Sequence, residues 1–572
     1  MTTFNRTKTA AAVSALLAGM ALAPANAVEL AGNGLGDVAE TSYYTVRNGQ
    51  QTNISLVNTS ADYVVAVKVR FRQAADSKDV LDFNVFLSPN DVWTATVGLN
   101  TGTGLPWVQT TDLSCTTPTV MPKGTANTAA NRQLGFVVVG TNGAGAQIKQ
   151  VDFVTASNPL STEGYIEIIE MGVAVPKSDI YPDASLLASW AVSTSRNCAN
   201  LASVYPPTLR PILVTGSQAR QAPPGITATC NTDTNTGPTS LYQWPLIPSR
   251  GAAASGTTAF QAEFCEPLNV LKVASNIVRT NTGIVFDAPV TTFANFFSPA
   301  AGSENQLAPN ANDLMGWTPQ QVRPNLLDGS PAGALRSPTT GLPAADPANP
   351  ALSIQVFNGV SRTAGFTYSS ASPIPTVDAV GSLITAFEVD NEWWANNGAL
   401  PSTGWVVNFP TKHHYGVQPS ATTEDPFFGV YPRSYTYYGP FADGTNQGSC
   451  QPVGLTYWDR EEKEVVGIVE PSPPSGRCLP LEVSTISFRT GTNYFSSQNP
   501  NTFAIQLGFS SGWAALGFTS AGSIASSVTT STPISYTFAG LPTIGFSATT
   551  IANGTVNASY NTPHAYQRFI AP

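Results

Sequence analysis

The sequence predicts an all-β protein, mainly antiparallel, built from immunoglobulin-like β-sandwich domains with a few short helices. Three observations carry this. Apolar and polar residues alternate with period two through several runs of six to eight residues. Asn-, Ser-, Asp- and Pro-rich turns separate those runs. Only 11% of the residues are charged, against roughly 25% in ordinary soluble domains, and Thr, Ser, Asn and Gly take the polar positions, as suits strands and turns.

The first 27 residues read as a secretory signal peptide. Arg6 and Lys8 form a basic start, an uncharged Ala- and Leu-rich stretch runs from Thr9 to Leu22, and Pro24-Ala25-Asn26-Ala27 ends in a small-x-small site. The apolar stretch is too short to span a bilayer, and no later run reaches the ~18 apolar residues of a spanning helix. The expected address is therefore outside the cytoplasm: the extracellular space, the cell surface or the periplasm. The net charge of -9 repels phosphate backbones and argues against nucleic acid as a partner.

Residues 28–175 read as an N-terminal β-sandwich domain. Thr52–Asn58, Val65–Arg72, Val80–Leu87 and Val92–Val97 alternate, with Lys68, Arg70 and Arg72 on one face of their strand and Val67, Val69 and Phe71 on the other. Gly135–Val139 and Tyr165–Glu170 add strands. Residues 176–297 form a mixed β-rich region with a short helix at 183–192, capped by Asp183 and apolar at Leu186, Leu187 and Trp190. Nine Pro between Ser298 and Pro350 mark a linker or a long ordered insertion. A C-terminal β-rich domain fills 351–572, with Trp405–Phe409, Ser434–Tyr438 and Phe503–Phe509 as its best strands. From Thr490 to Gln567 there is no Asp, Glu, Lys or Arg, which reads as strands packed on other protein or as an assembling surface.

Six cysteines, Cys115, Cys198, Cys230, Cys265, Cys450 and Cys478, are even in number and include no C-x-x-C. In an oxidising compartment they form three disulfides. Cys450 and Cys478 flank a hairpin-like region and are the best pair, leaving the other four to pair among themselves.

Three stretches carry a resemblance: Tyr43–Gly49, Val57–Ser60 and Asp79–Pro89. With Glu163–Gly172 and Trp405–Lys412, they are similar to a family of uncharacterised secreted β-rich proteins of Gram-negative bacteria. The resemblance implies an envelope or extracellular address. It implies no activity and no functional residues.

No catalytic constellation is complete. Gly508-Phe509-Ser510-Ser511-Gly512 matches G-x-S-x-G and His564 follows, but no acid lies between them, and the residues after Gly512 read as a strand where a nucleophile elbow needs a helix. His413 and His414 are adjacent, so on a strand they would point apart and share no metal. Asn231–Gly237 presents oxygen ligands at alternate positions like a calcium loop, yet Tyr242 stands where a bidentate Glu is needed. Calcium is the one cofactor the sequence leaves open.

Glu388, Asp390 and Glu392 alternate just before Trp393 and Trp394, so on a strand they would share a face. Paired carboxylates beside aromatics are the material of a glycosidase or a sugar site. Tyr435 and Tyr437, in the densest aromatic segment, are with Trp393 and Trp394 the glycan-stacking candidates. The expected function is a non-enzymatic secreted or cell-surface protein, structural or adhesive, whose partners are other copies of itself or surface glycans. A carbohydrate-binding protein or glycosidase of the envelope and a periplasmic assembly factor are the alternatives.

Overall fold

The computed structural model describes most of residues 28–117, 136–203, 267–296 and 353–571, with a few positions between 326 and 344. The expected signal peptide at 1–27, Cys230, Cys265 and the calcium-loop candidate at 231–237 lie outside the described residues. The fold is mostly antiparallel β-sheet.

The N-terminal half holds two eight-stranded sheets. The first, called here the inner sheet, runs Glu29–Leu30, Val290–Ala294, Val38–Thr41, Glu163–Ala174, Val64–Gln73, Asp79–Leu87 and Cys115–Thr117, with Tyr44–Thr45 also pairing to Glu163–Ala174. The second, the outer sheet, runs Val137–Thr141, Gln147–Asp152, Pro106–Thr110, Val92–Leu99, Gln50–Asn58, Leu271–Arg279 and Ile284–Asp287, with Leu35–Gly36 beside Leu271–Arg279. Val67, Val69 and Phe71 of the inner sheet share one apolar core with Ile54, Leu56, Trp93 and Val97 of the outer sheet. The arrangement is sandwich-like because each strand's period-two alternation gives it one apolar face to bury. Strands between 271 and 294, expected in a separate mixed region, hydrogen-bond into both sheets.

Among the described residues the second half contains three five-stranded sheets. One runs Glu464–Val465, Gly454–Asp459, Ser511–Gly517, Glu388–Trp394 and Ala565–Gln567. Another runs Asn501–Thr502, Val483–Ser487, Ser402–Asn408, Ile544–Asn553 and Val556–Pro563. Trp393, Tyr457 and Leu516 of the former and Trp405, Val407 and Ile486 of the latter enter a common core. Phe503–Phe509, expected to be a strand, is irregular at its described positions, and the neighbouring strand is Asn501–Thr502. The expected 183–192 helix is seen as Leu186–Ser189.

Among the described residues two disulfides are formed. Cys450–Cys478 joins the paired strands Gln451–Pro452 and Cys478–Leu479, and Cys115–Cys198 ties a strand of the inner sheet to the helix Cys198–Ser203.

The face of the inner sheet turned away from the outer sheet is not solvated. Lys68, Arg70, Asp82 and Glu167 are each 0% exposed. The second half docks here and along the sheet's edge. Asn408 Nδ2 donates to the Thr41 and Ser42 carbonyls, Val483 N donates to the Ala74 carbonyl, Ser497 Oγ donates to Glu163, and the Tyr165 hydroxyl donates to the Pro410 carbonyl. The alternation of Val65–Arg72 gives two faces, as the spacing predicts. A single strand does not say that its charged face is covered.

Candidate functional site

Strand Glu388–Trp394 is half-exposed at alternate positions, so Glu388, Asp390, Glu392 and Trp394 share its outward face, as the spacing predicts. The facing strand Ser511–Gly517 sets Gly517, Ala515 and Trp513 opposite these carboxylates in turn. Glycine and alanine make a low floor beside Glu388 and Asp390. At the Glu392 end that floor is closed by Trp513, whose ring stacks on Trp458 at 3.9 Å and 10°. Trp513 is 44% exposed. Trp394 carries the Arg460 guanidinium over its ring at 4.2 Å, a cation–π contact.

Partial burial raises Asp390 above the usual carboxylate range, with its Gln567 bond (2.8 Å) pulling the other way. Burial, then the nearby Asp390 charge, does the same to Glu388.

Trp393 is a correction. It points inward, is fully buried, and donates its indole N–H to the Trp513 carbonyl at 3.0 Å. It packs edge-on against Tyr457 and offers no ring to a glycan. Tyr435 lies outside the described residues, and Tyr437 is seen as backbone in the short strand Thr436–Tyr437. Trp458 and Trp513 went unnoticed in the sequence. The signal was there for Trp458, which occupies an outward position of the alternating run Gly454–Asp459, whereas Ser511–Gly517 does not alternate and gives none for Trp513.

The G-x-S-x-G match dissolves into strand. Ser511–Gly517 is the central strand of its sheet, and Gly512 is needed there because any Cβ would strike the Trp458 carbonyl. His564 is 3% exposed. Its Nε2 donates to the Val406 carbonyl at 2.9 Å, and Asn391 Nδ2 donates to its Nδ1 at 3.0 Å. Both ring nitrogens are spent on tying two strands together, which fixes the neutral tautomer.

Burial pushes the His564 pKa down to about 4. A depressed folded-state value gives stability that is present above pH ~6.5 and lost as pH falls through about 4. The wild-type denaturation midpoint should therefore fall across that window, and the fall should shrink in His564→Gln. Equal acid limbs in the two proteins would refute the assignment.

His413 and His414 are not on a strand. They lie in the 3-10 turn Lys412–Tyr415, with ring centroids 3.8 Å apart. His413 Nδ1 is 3.6 Å from buried Glu482. Among the described residues no three His, Cys, Asp or Glu side chains gather to hold a metal ion, and no helix is long and apolar enough to cross a membrane. Comparison with protein families, with curated proteins and with solved structures finds no match.

Proposed function

We propose that the protein is an exported, non-enzymatic surface protein with a structural or adhesive role. The observation that carries this reading is the engagement of its would-be catalytic groups. His564 spends both ring nitrogens on strand contacts, and Asp390 is bonded to Gln567. The carboxylates stand in one row along a single strand, whereas a glycosidase pair must flank the scissile bond from two sides. The aromatic, amide- and hydroxyl-rich outward faces on a disulfide-tied β scaffold support adhesion, and the leader-like N-terminus supports export.

The test is location. Native cells are fractionated, and intact cells are treated with protease before blotting. Cleavage on intact cells or recovery from the medium is expected. Full protection, with release alongside the periplasmic contents, would overturn the surface role and favour an assembly factor inside the envelope.

The exposed Trp458/Trp513 stack beside Glu392 favours carbohydrate binding as a second reading, since stacked indoles present a flat apolar face of the kind a sugar ring covers.

A further inference from the structure

The outer sheet of the N-terminal half bears a groove of about 610 Å³ on its solvent side. That volume is within the ~300–1,000 Å³ of ligand sites. The groove crosses the strands, because one register row runs through Asn276, Asn53, Thr96, Gln109 and Gln150 on five neighbouring strands. At about 4.8 Å per strand the row spans roughly 19 Å.

The side chains of the row hold one another. Thr96 Oγ1 donates to Asn53 Oδ1 at 2.8 Å, and Asn53 Nδ2 donates to Asn276 Oδ1 at 3.0 Å. Gln109 Nε2 donates to Gln150 Oε1 at 2.6 Å. Each amide is thus oriented before any ligand arrives, and further polar capacity remains, notably the Asn276 NH2 and the Gln109 carbonyl oxygen. Trp107 lies beside the row. Its ring covers Gly98, where any Cβ would collide with it, so the indole rests on the sheet and is partly exposed.

Among the described residues, none that lines the groove is charged. An ionic ligand would be desolvated there without a countercharge, which is unfavourable. Amides and hydroxyls offer donors and acceptors together, as sugar hydroxyls require, and an indole supplies the flat apolar surface for a ring face. We infer that this groove binds a segment of an uncharged polysaccharide, with Trp107 as the stacking platform and Asn53, Thr96, Gln109 and Asn276 as the hydroxyl readers. The inference gives the adhesive reading its ligand class and rests on that reading only for its biological setting.

The purified full chain is tested by affinity electrophoresis and calorimetry against cellulose, a β-glucan, mannan and dextran, with anionic alginate as the charged probe. At least one neutral polysaccharide should bind, with affinity unchanged between about 0.05 and 0.5 M salt because no ion pair is screened. Trp107→Ala should weaken it roughly tenfold or more, as loss of a central aromatic anchor does. Gln109→Ala, which leaves the Trp107 packing in place, should weaken it by a smaller factor with the same circular dichroism. Binding of none of the neutral probes would overturn the inference, as would binding of alginate alone or retention of full affinity in both variants. None of these results bears on where the protein resides, so failure here is distinct from failure of the export reading.

Discussion

Arg70→Met is expected to destabilise the protein by about 3–5 kcal/mol, the usual cost of removing one partner from a buried ion cluster. Arg70 is fully buried and stands between three carboxylates. Its Nη1 is 2.5 Å from Glu167, its Nε is 3.4 Å from Asp79, and its Nη2 is 3.8 Å from Asp82. Arg72 shares Asp79 and Glu167 at 3.0 and 3.2 Å, and Lys68 holds Asp82 at 3.0 Å. Methionine keeps much of the side-chain volume, so the loss measures uncompensated negative charge rather than a cavity.

The pH dependence has a definite sign. Burial pushes Asp82 up to about 7, against the pull of Lys68 and Arg70. Burial would also raise Glu167, but Arg72 and Arg70 outweigh it and hold that group below its ordinary value. Without Arg70 both carboxyls rise. A raised folded-state pKa gives stability that is kept at low pH and lost as pH rises through it. The deficit of the variant should therefore be largest near pH 8 and narrow toward pH 5. Urea midpoints at the two pH values check this, and Arg70→Met/Glu167→Gln should recover part of the loss. A deficit below about 0.5 kcal/mol, within the range of ordinary surface substitutions, would mean the cluster is hydrated and contributes little.

Trp405→Ala should cost a similar ~3–5 kcal/mol. Trp405 is fully buried on the strand Ser402–Asn408. It packs edge-on to Phe488 at 4.9 Å and lies 5.1 Å from the His564 ring. Its indole N–H donates to the Glu392 carbonyl at 2.8 Å, a bond that crosses from one sheet to the other. Alanine leaves a cavity and strips that carbonyl of its donor. Trp405→Phe keeps most of the volume and should lose less. The comparison is read from urea midpoints and from near-ultraviolet circular dichroism. A loss under about 1 kcal/mol for the alanine variant would show that the two sheets do not depend on this contact.

What the sequence determined by itself is local. Alternation assigned Val67, Val69 and Phe71 to one face and Lys68, Arg70 and Arg72 to the other. It likewise aligned Glu388, Asp390 and Glu392 on one side of their strand, because side chains on a strand repeat with period two whatever surrounds it. The Cys450–Cys478 pair was legible because its strands lie close along the chain.

Tertiary structure decided what covers each face and which distant strands meet. Trp393 went to the core while Trp394 stayed outside, because the second sheet packs on only one side of their strand. Cys115 meets Cys198 across 83 residues. The charged face of the inner sheet is buried because the second half docks on it. The polar row from Asn276 to Gln150 exists only once five strands, drawn from residues 50–279, align in register. Periodicity encodes direction within a strand, whereas pairing depends on the summed contacts of segments far apart in sequence, and no local pattern carries that information.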